Sequence, residues 1–299
     1  MIKQKTFESL LEGFFVNVII TRMKNQSQKM PLQHNRLLRR ILAQVGSRAN
    51  PGNITITHPF AGTKLYLHSF RHKGYWFYGK RREADAMEFL RALVLPGATV
   101  MDVGAHIGFV TLYLAKLVGA AGSVYAFEPG ANNLPYLLKN CAPFQNVHVE
   151  PCAVGDMNGT TEFYLEDLSG QNNSLVADYS GLLAHEHALG LRAHVDQTSV
   201  PITTLDAYCA AHKLAPTFIK IDVEGAEFQV LRGAVSLIET WHPHLLVEMN
   251  LYQAEMFEFL RARGYVFFSE TRQRITLSEG VHFNIFCLHE SHDNPQRRV

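Results

Sequence analysis

Carboxylates stand where apolar strands would end and helices begin, and their neighbours limit what they can bind. The first lies in residues 100–108, Val-Met-Asp-Val-Gly-Ala-His-Ile-Gly. Residues 98–103 suit a short buried strand, and helical apolar spacing resumes over 109–117, so Gly104 and Gly108 open the turn between them. Such a turn cradles nucleotide-type ligands, because glycine lets a ligand press against the backbone at a helix N-terminus. The pattern is Asp-x-Gly-x-x-x-Gly, with Ala105 and His106 in place of the middle glycine of a dinucleotide site. Asp102 would repel a pyrophosphate and suits a ligand carrying positive charge. Glu128 ends the next apolar strand, Ser123–Phe127, where an acid accepts hydrogen bonds from ribose hydroxyls. A ribose combined with a positive charge describes S-adenosylmethionine better than NAD.

The second motif is residues 218–227, Phe-Ile-Lys-Ile-Asp-Val-Glu-Gly-Ala-Glu. The strand Phe218–Ile221 ends in Asp222, and Gly225 opens the following helix. If residues 100–103 form the first strand of the sheet, this is the fourth, and the two are neighbours at the switch point where open α/β sheets bind ligands. Asp222 is therefore expected to face the same crevice as Asp102. Glu224 and Glu227 stand at a helix start, where the dipole favours negative charge.

These residues need elements to hold them. Residues 1–48 read as two amphipathic helices, the first with Leu10, Leu11, Phe14, Phe15, Val18 and Ile19 on one face and the second, after Pro31, with Leu37, Leu38, Ile41, Leu42 and Val45 on one face. This N-terminal helical extension, residues 1–50, is expected to dock on the main domain or on a second copy of the chain, in a homo-oligomer. Peripheral membrane contact beside Arg36, Arg39 and Arg40 is the alternative. The main domain is expected over residues 51–290, with a short tail at 291–299. Residues 51–97 lead in, through a hairpin of Asn53–Thr57 and Lys64–His68, the aromatic run Tyr75-Trp76-Phe77-Tyr78, which could cap a pocket, and a helix over 83–95. After Glu128 a helix is predicted over 132–140, strands over 147–151 and 160–165, and an irregular functional loop over 166–197. A helix over 203–212, a strand over 217–223, a helix over 227–239, the strand His244–Glu248 and a helix over 254–263 follow. Strands 265–269 and 284–288 close the chain with no helix between them, so they should pair antiparallel. A sheet that is parallel except for one late reversed strand is the methyltransferase variant of the doubly wound fold.

Composition narrows the function. Lys and Arg number 28 and Asp and Glu 27, a net charge of +1, which argues against a dedicated nucleic-acid binder. The four cysteines form no C-x-x-C pair and the histidine pairs lack helical metal spacing, so no metal site is expected and a reducing, cytoplasmic setting fits. The apolar stretch 10–20 falls well short of the ~20 residues of a membrane span.

Together, residues 102–108, Ala126-Phe-Glu-Pro129 and residues 219–227 resemble the FkbM-type S-adenosylmethionine-dependent methyltransferases. Ala153-Val-Gly155, Thr204-Leu-Asp206, Val230-Leu-Arg-Gly-Ala234 and the run from Pro243 to Glu248 are also similar, and the resemblance covers roughly residues 75–290. The chain departs from the pattern at His106, where many members carry Asn. The resemblance implies an α/β, doubly wound, Rossmann-like class I methyltransferase sheet of seven strands. It implies methyl transfer from S-adenosylmethionine to a hydroxyl oxygen of a small molecule or sugar-containing acceptor. In-line displacement needs alignment, and the hydroxyl needs a base. Asp222 is the first candidate, then Glu224, then His106, with Glu248 placed to orient the acceptor. For the cofactor, Asp102 would set the methionine end, and Asp222, facing the same crevice, would also contact the cofactor. Gly104, Ala105 and Gly108 would allow close approach, and Glu128 with Pro129 would bind the ribose. Cys152 and Ala153 would flank the adenine, and Asn172, Asn173 and Ser174 would close over the site. An NAD-dependent oxidoreductase and a non-catalytic cofactor-binding scaffold are the competing readings.

Overall fold

The computed structural model describes residues 52–177, 180–249, 251–276 and 284–291. The expected N-terminal helices and the C-terminal tail from 292 lie outside these residues. The alternating segments Asn53–Thr57 (β1) and Lys64–His68 (β2) pair antiparallel, with Leu65 and Leu67 fully buried. Asn140 ties this hairpin to the glycine turn: its amide accepts from Tyr66 N (2.7 Å) and donates to Tyr66 O (2.9 Å) and Ile107 O (2.8 Å).

β3 (Thr99–Val103), β4 (Ser123–Phe127) and β5 (Val147–Glu150) run parallel, connected by the helices Phe109–Val118 and Leu134–Cys141. β6 (Ala153–Val154), β7 (Gly159–Glu166) and β8 (Val195–Thr203) form a separate small sheet in the order β6-β8-β7. β9 (Phe218–Ile221), β10 (His244–Glu248), β11 (Tyr265–Phe268) and β12 (Asn284–His289) complete the main sheet, whose order is β11-β12-β10-β9-β3-β4-β5. Its five consecutive strands from β10 to β5 are parallel, and β12 alone is reversed against both neighbours. Parallel strands covered on both faces must be apolar throughout. β9 obeys this rule in four buried residues, with Lys220 as its single polar member.

Two expectations need correction. The region 166–197 is not one irregular loop: β7 runs through Glu166, a helix spans Ser180–Leu189, and β8 begins at Val195. β8 hides this in sequence because only Val200 and Ile202 of its nine residues are buried. The helix expected over 227–239 is two, Glu227–Arg232 and Val235–Trp241. They part at Gly233, where a Cβ would come within 1.9 Å of the Gly155 carbonyl oxygen, so the chain turns to let β6 pass.

Candidate active site

A cavity of about 360 Å³ opens where β3, β4, β9 and β10 end. It has two chemically distinct halves. Glu128 and Pro129 after β4, with Phe127, Cys152, Ala153 and Val154, line one half. Asp222 and Glu224 after β9, Glu248 of β10, Arg82 and Asn284 line the other, and Gly104 lies between. The roof is residues 170–173, with Tyr75 of the helix Lys73–Tyr78.

In the first half Glu128 is 4% exposed. Its Oε1 accepts from Gly130 N (2.9 Å) and Asn133 Nδ2 (3.1 Å), and its Oε2 from His106 N (2.8 Å). Burial raises the Glu128 pKa to about 7 against the pull of these donors. Each carboxylate oxygen offers about two acceptor directions, so Oε2 keeps one for a hydroxyl of a ligand. Beside it, Phe127, Cys152, Ala153 and Val154 form an apolar slot suited to a flat heterocycle. An acceptor-rich acid beside an apolar slot fits an adenosyl group.

The roof loop is built on Glu166, whose buried carboxylate accepts from Leu168 N, Ser169 N and Ser169 Oγ. Burial alone would raise this carboxyl, but these bonds hold it below its usual range. Asn133 Nδ2 reaches both Glu128 Oε1 and Gly170 O (2.9 Å), so one amide ties the roof to the first half.

In the second half, ligand atoms of Asp222, Glu224 and Glu248 lie within 4.8 Å of one another, a spacing that a cation would also accept. Repulsion in the cluster is relieved in two ways. Burial, reinforced by Asp222 and Glu224, pushes Glu248 up to about 11, toward the protonated form, which can donate a hydrogen bond to Asp222. Burial would raise Asp222 too, but the Lys220 ammonium (Nζ–Oδ2 3.1 Å) and that hydrogen bond hold its carboxyl below the usual range. Arg82 crosses the mouth, stacked over the Tyr75 ring at 4.4 Å and paired with Glu83 at 3.0 Å.

The predicted residues sort accordingly. Gly104, His106, Glu128, Pro129, Cys152, Ala153, Asn172, Asn173, Asp222, Glu224 and Glu248 line the cavity; Asp102, Ala105, Gly108 and Ser174 do not. Asp102 is fully buried, accepts from Thr111 Oγ1 (2.6 Å) and pairs with Lys220 (3.2 Å), so its charge is spent inside the fold rather than on a ligand. Ala105 is buried at 4% exposure. Gly108 is buried against the next helix, where a Cβ would meet Leu137 Cδ1 at 2.9 Å: its glycine serves packing. Ser174 Oγ donates to Glu224 O (2.7 Å) and so holds the loop of Asp222 and Glu224 from behind. His106 takes φ +52° and spends both ring nitrogens internally. Nε2 donates to Ser169 O (3.3 Å), since a carbonyl can only accept, and Nδ1 accepts from the Tyr75 hydroxyl (2.9 Å). Burial lowers its pKa to about 4, and with both nitrogens engaged it has no free lone pair to offer an acceptor hydroxyl. Lys220, Arg82, Gln171 and Asn284 escaped the sequence reading. A lysine inside an otherwise apolar strand was the one available signal among them.

A sheet of this order, with a ligand crevice at the switch point next to its central strand, defines a Rossmann-like methyltransferase domain. The profile of the Methyltransferase FkbM domain matches residues 102–267, more than half of the chain, and the chain belongs to this family. A tRNA (adenine(58)-N(1))-methyltransferase of Thermus thermophilus is 32% identical over 106 residues, covering 33% of this chain and 40% of that protein. The chain thus matches less than half the length of its curated relatives. Among solved structures, a methyltransferase FkbM from Methylobacillus flagellatus is similar at 14% identity and TM-score 0.42, over 74% of this chain and 62% of that one. Aeropyrum pernix fibrillarin, in complex with S-adenosyl-L-methionine, is similar at 12% identity and TM-score 0.38, over 79% and 93%.

Proposed function

We propose that this methyltransferase uses S-adenosylmethionine and methylates a hydroxyl oxygen of a small molecule or sugar-containing acceptor. The observation that supports it most directly is the division of one cavity into an adenosyl-suited half around Glu128 and a carboxylate half around Asp222. S-adenosylmethionine supplies, when bound, a methyl group on a positively charged sulfur. Glu128 would hold the ribose hydroxyls, and the apolar slot the adenine. Asp222 would take the acceptor proton. Its low proton affinity is no handicap here, because a hydroxyl oxygen becomes strongly acidic as it gains its new bond to carbon. Glu248, protonated, would donate to Asp222 or to the acceptor and fix its orientation.

The test is calorimetry with S-adenosylmethionine and S-adenosylhomocysteine, followed by labelled methyl transfer onto a panel of hydroxylated acceptors. Asp222→Asn is expected to leave cofactor affinity within a few-fold and to lower turnover at least ~10²-fold. Unchanged turnover would remove Asp222 from the role of base. A second reading, an RNA acceptor, draws on the partial similarity to the tRNA methyltransferase. The near-balanced charge and the carboxylates around the cavity mouth count against it, and tRNA in the acceptor panel separates the two.

A further inference from the structure

Lys220 is the polar residue that the fold treats least like a surface lysine. It is 6% exposed, in the middle of the main sheet. Its cross-strand register partner on β3 is Asp102. A lysine ammonium has three donor hydrogens. Nζ directs them at Asp102 Oδ1 (3.2 Å), Asp222 Oδ2 (3.1 Å) and the Gly104 carbonyl (2.9 Å). No donor is left for a ligand. Whatever Lys220 contributes to chemistry it contributes through Asp222 and the glycine turn.

We infer that Lys220 is a positioning residue for methyl transfer, anchored from behind by Asp102, that keeps the Asp222 carboxylate ionised and aimed into the cavity. The inference rests on the reading of Asp222 as base. The surroundings of Asp222 make the lysine necessary. Glu224 in the same loop and Glu227 from the helix Glu227–Arg232 favour its protonation, while Glu248 from β10, as a hydrogen-bond donor, opposes it. Against them stand Lys220, Arg82 at the mouth and His106 of the glycine turn. Burial lowers the His106 pKa to about 4, so it brings no charge near neutrality, and Arg82 is already paired with Glu83. Among the described residues, Lys220 is the cation within ion-pair distance of Asp222.

The test reads ionisation directly, so it needs no acceptor. In protein labelled with ¹³C at the aspartate carboxyls, the Asp222 resonance, assigned by its loss in Asp222→Asn, is followed with pH. Lys220→Met alone would strand the buried Asp102 and could unfold the chain. The informative comparison is therefore Asp102→Asn against Asp102→Asn/Lys220→Met. The expected result is that Asp222 keeps its low midpoint in Asp102→Asn and moves up by the ~1–3 units that a contacting cation confers in the double variant. Both variants lack the Asp102 charge, so the difference between them isolates the effect of the Lys220 ammonium. An Asp222 midpoint that stays low in the double variant overturns it and leaves the base assignment standing. A fully active Asp222→Asn enzyme overturns the base assignment and the positioning role with it.

Discussion

Gly104→Ala tests whether the end of β3 and the end of β9 are fitted to each other as tightly as the site requires. Gly104 sits at φ +83°, and a Cβ there would lie 1.7 Å from the Asp222 carbonyl oxygen. Two costs add. A left-handed conformation at a non-glycine residue costs about 1–2 kcal/mol. Relieving the contact moves the turn or the Asp222 backbone by roughly an ångström, an overpacking cost of about 1–3 kcal/mol. The sum, roughly 2–5 kcal/mol, is a large share of a typical stability of ~5–15 kcal/mol. Gly97→Ala isolates the two: Gly97 has φ +80° with nothing within 4 Å of its Cβ position, so only the conformational cost applies. Urea unfolding should therefore rank Gly104→Ala below Gly97→Ala by about 1–3 kcal/mol. Methyl transfer should fall by about 10²-fold in Gly104→Ala, because an ångström at the base is enough, and stay near wild type in Gly97→Ala. Equal stability of the two variants would refute the close fit of the strand ends.

Glu128→Ala should weaken S-adenosylhomocysteine binding by about 10-fold or more, the value of hydrogen bonds to a charged acceptor, read by calorimetry; unchanged affinity would remove Glu128 from the ribose. Acid should destabilise the fold through His58, which is fully buried. Its Nδ1 accepts from Phe60 N (3.1 Å) and Ala61 N (2.9 Å), and Nε2 donates to Phe109 O (2.8 Å), so a second ring proton has no acceptor. Burial lowers its folded pKa to about 4, against 6.5 when unfolded. Above pH 6.5 neither state binds the proton. Between 6.5 and about 4 only the unfolded chain does, so stability falls as pH falls, by a few kcal/mol in all. His58→Gln should flatten urea midpoints measured from pH 7 to 4.5, and an unchanged slope would assign the loss to other groups.

The sequence by itself determined the ends of the strands and what stands there. Apolar runs of four to five residues bounded by glycine located β3, β4 and β9, and the apolar run after Pro243 located β10; the switch-point rule then brought Gly104, Glu128, Asp222 and Glu248 to one crevice. The antiparallel finish of the sheet followed from two strands with no helix to cross over. Tertiary structure alone decided which of the charges face the ligand. Asp102 and Asp222 look equivalent in sequence, each an acid at a strand end followed two or three residues later by glycine. Register separates them: Asp102 lies opposite Lys220 inside the sheet, and Asp222, two residues beyond Lys220, emerges on the same side but past the last pairing. A side-chain period of two fixes which residues share a face within one strand, not which strand lies opposite or at what offset. Arg82 and Asn284 were hidden for the same kind of reason. They come from segments far apart in the chain, and only packing places them on one wall.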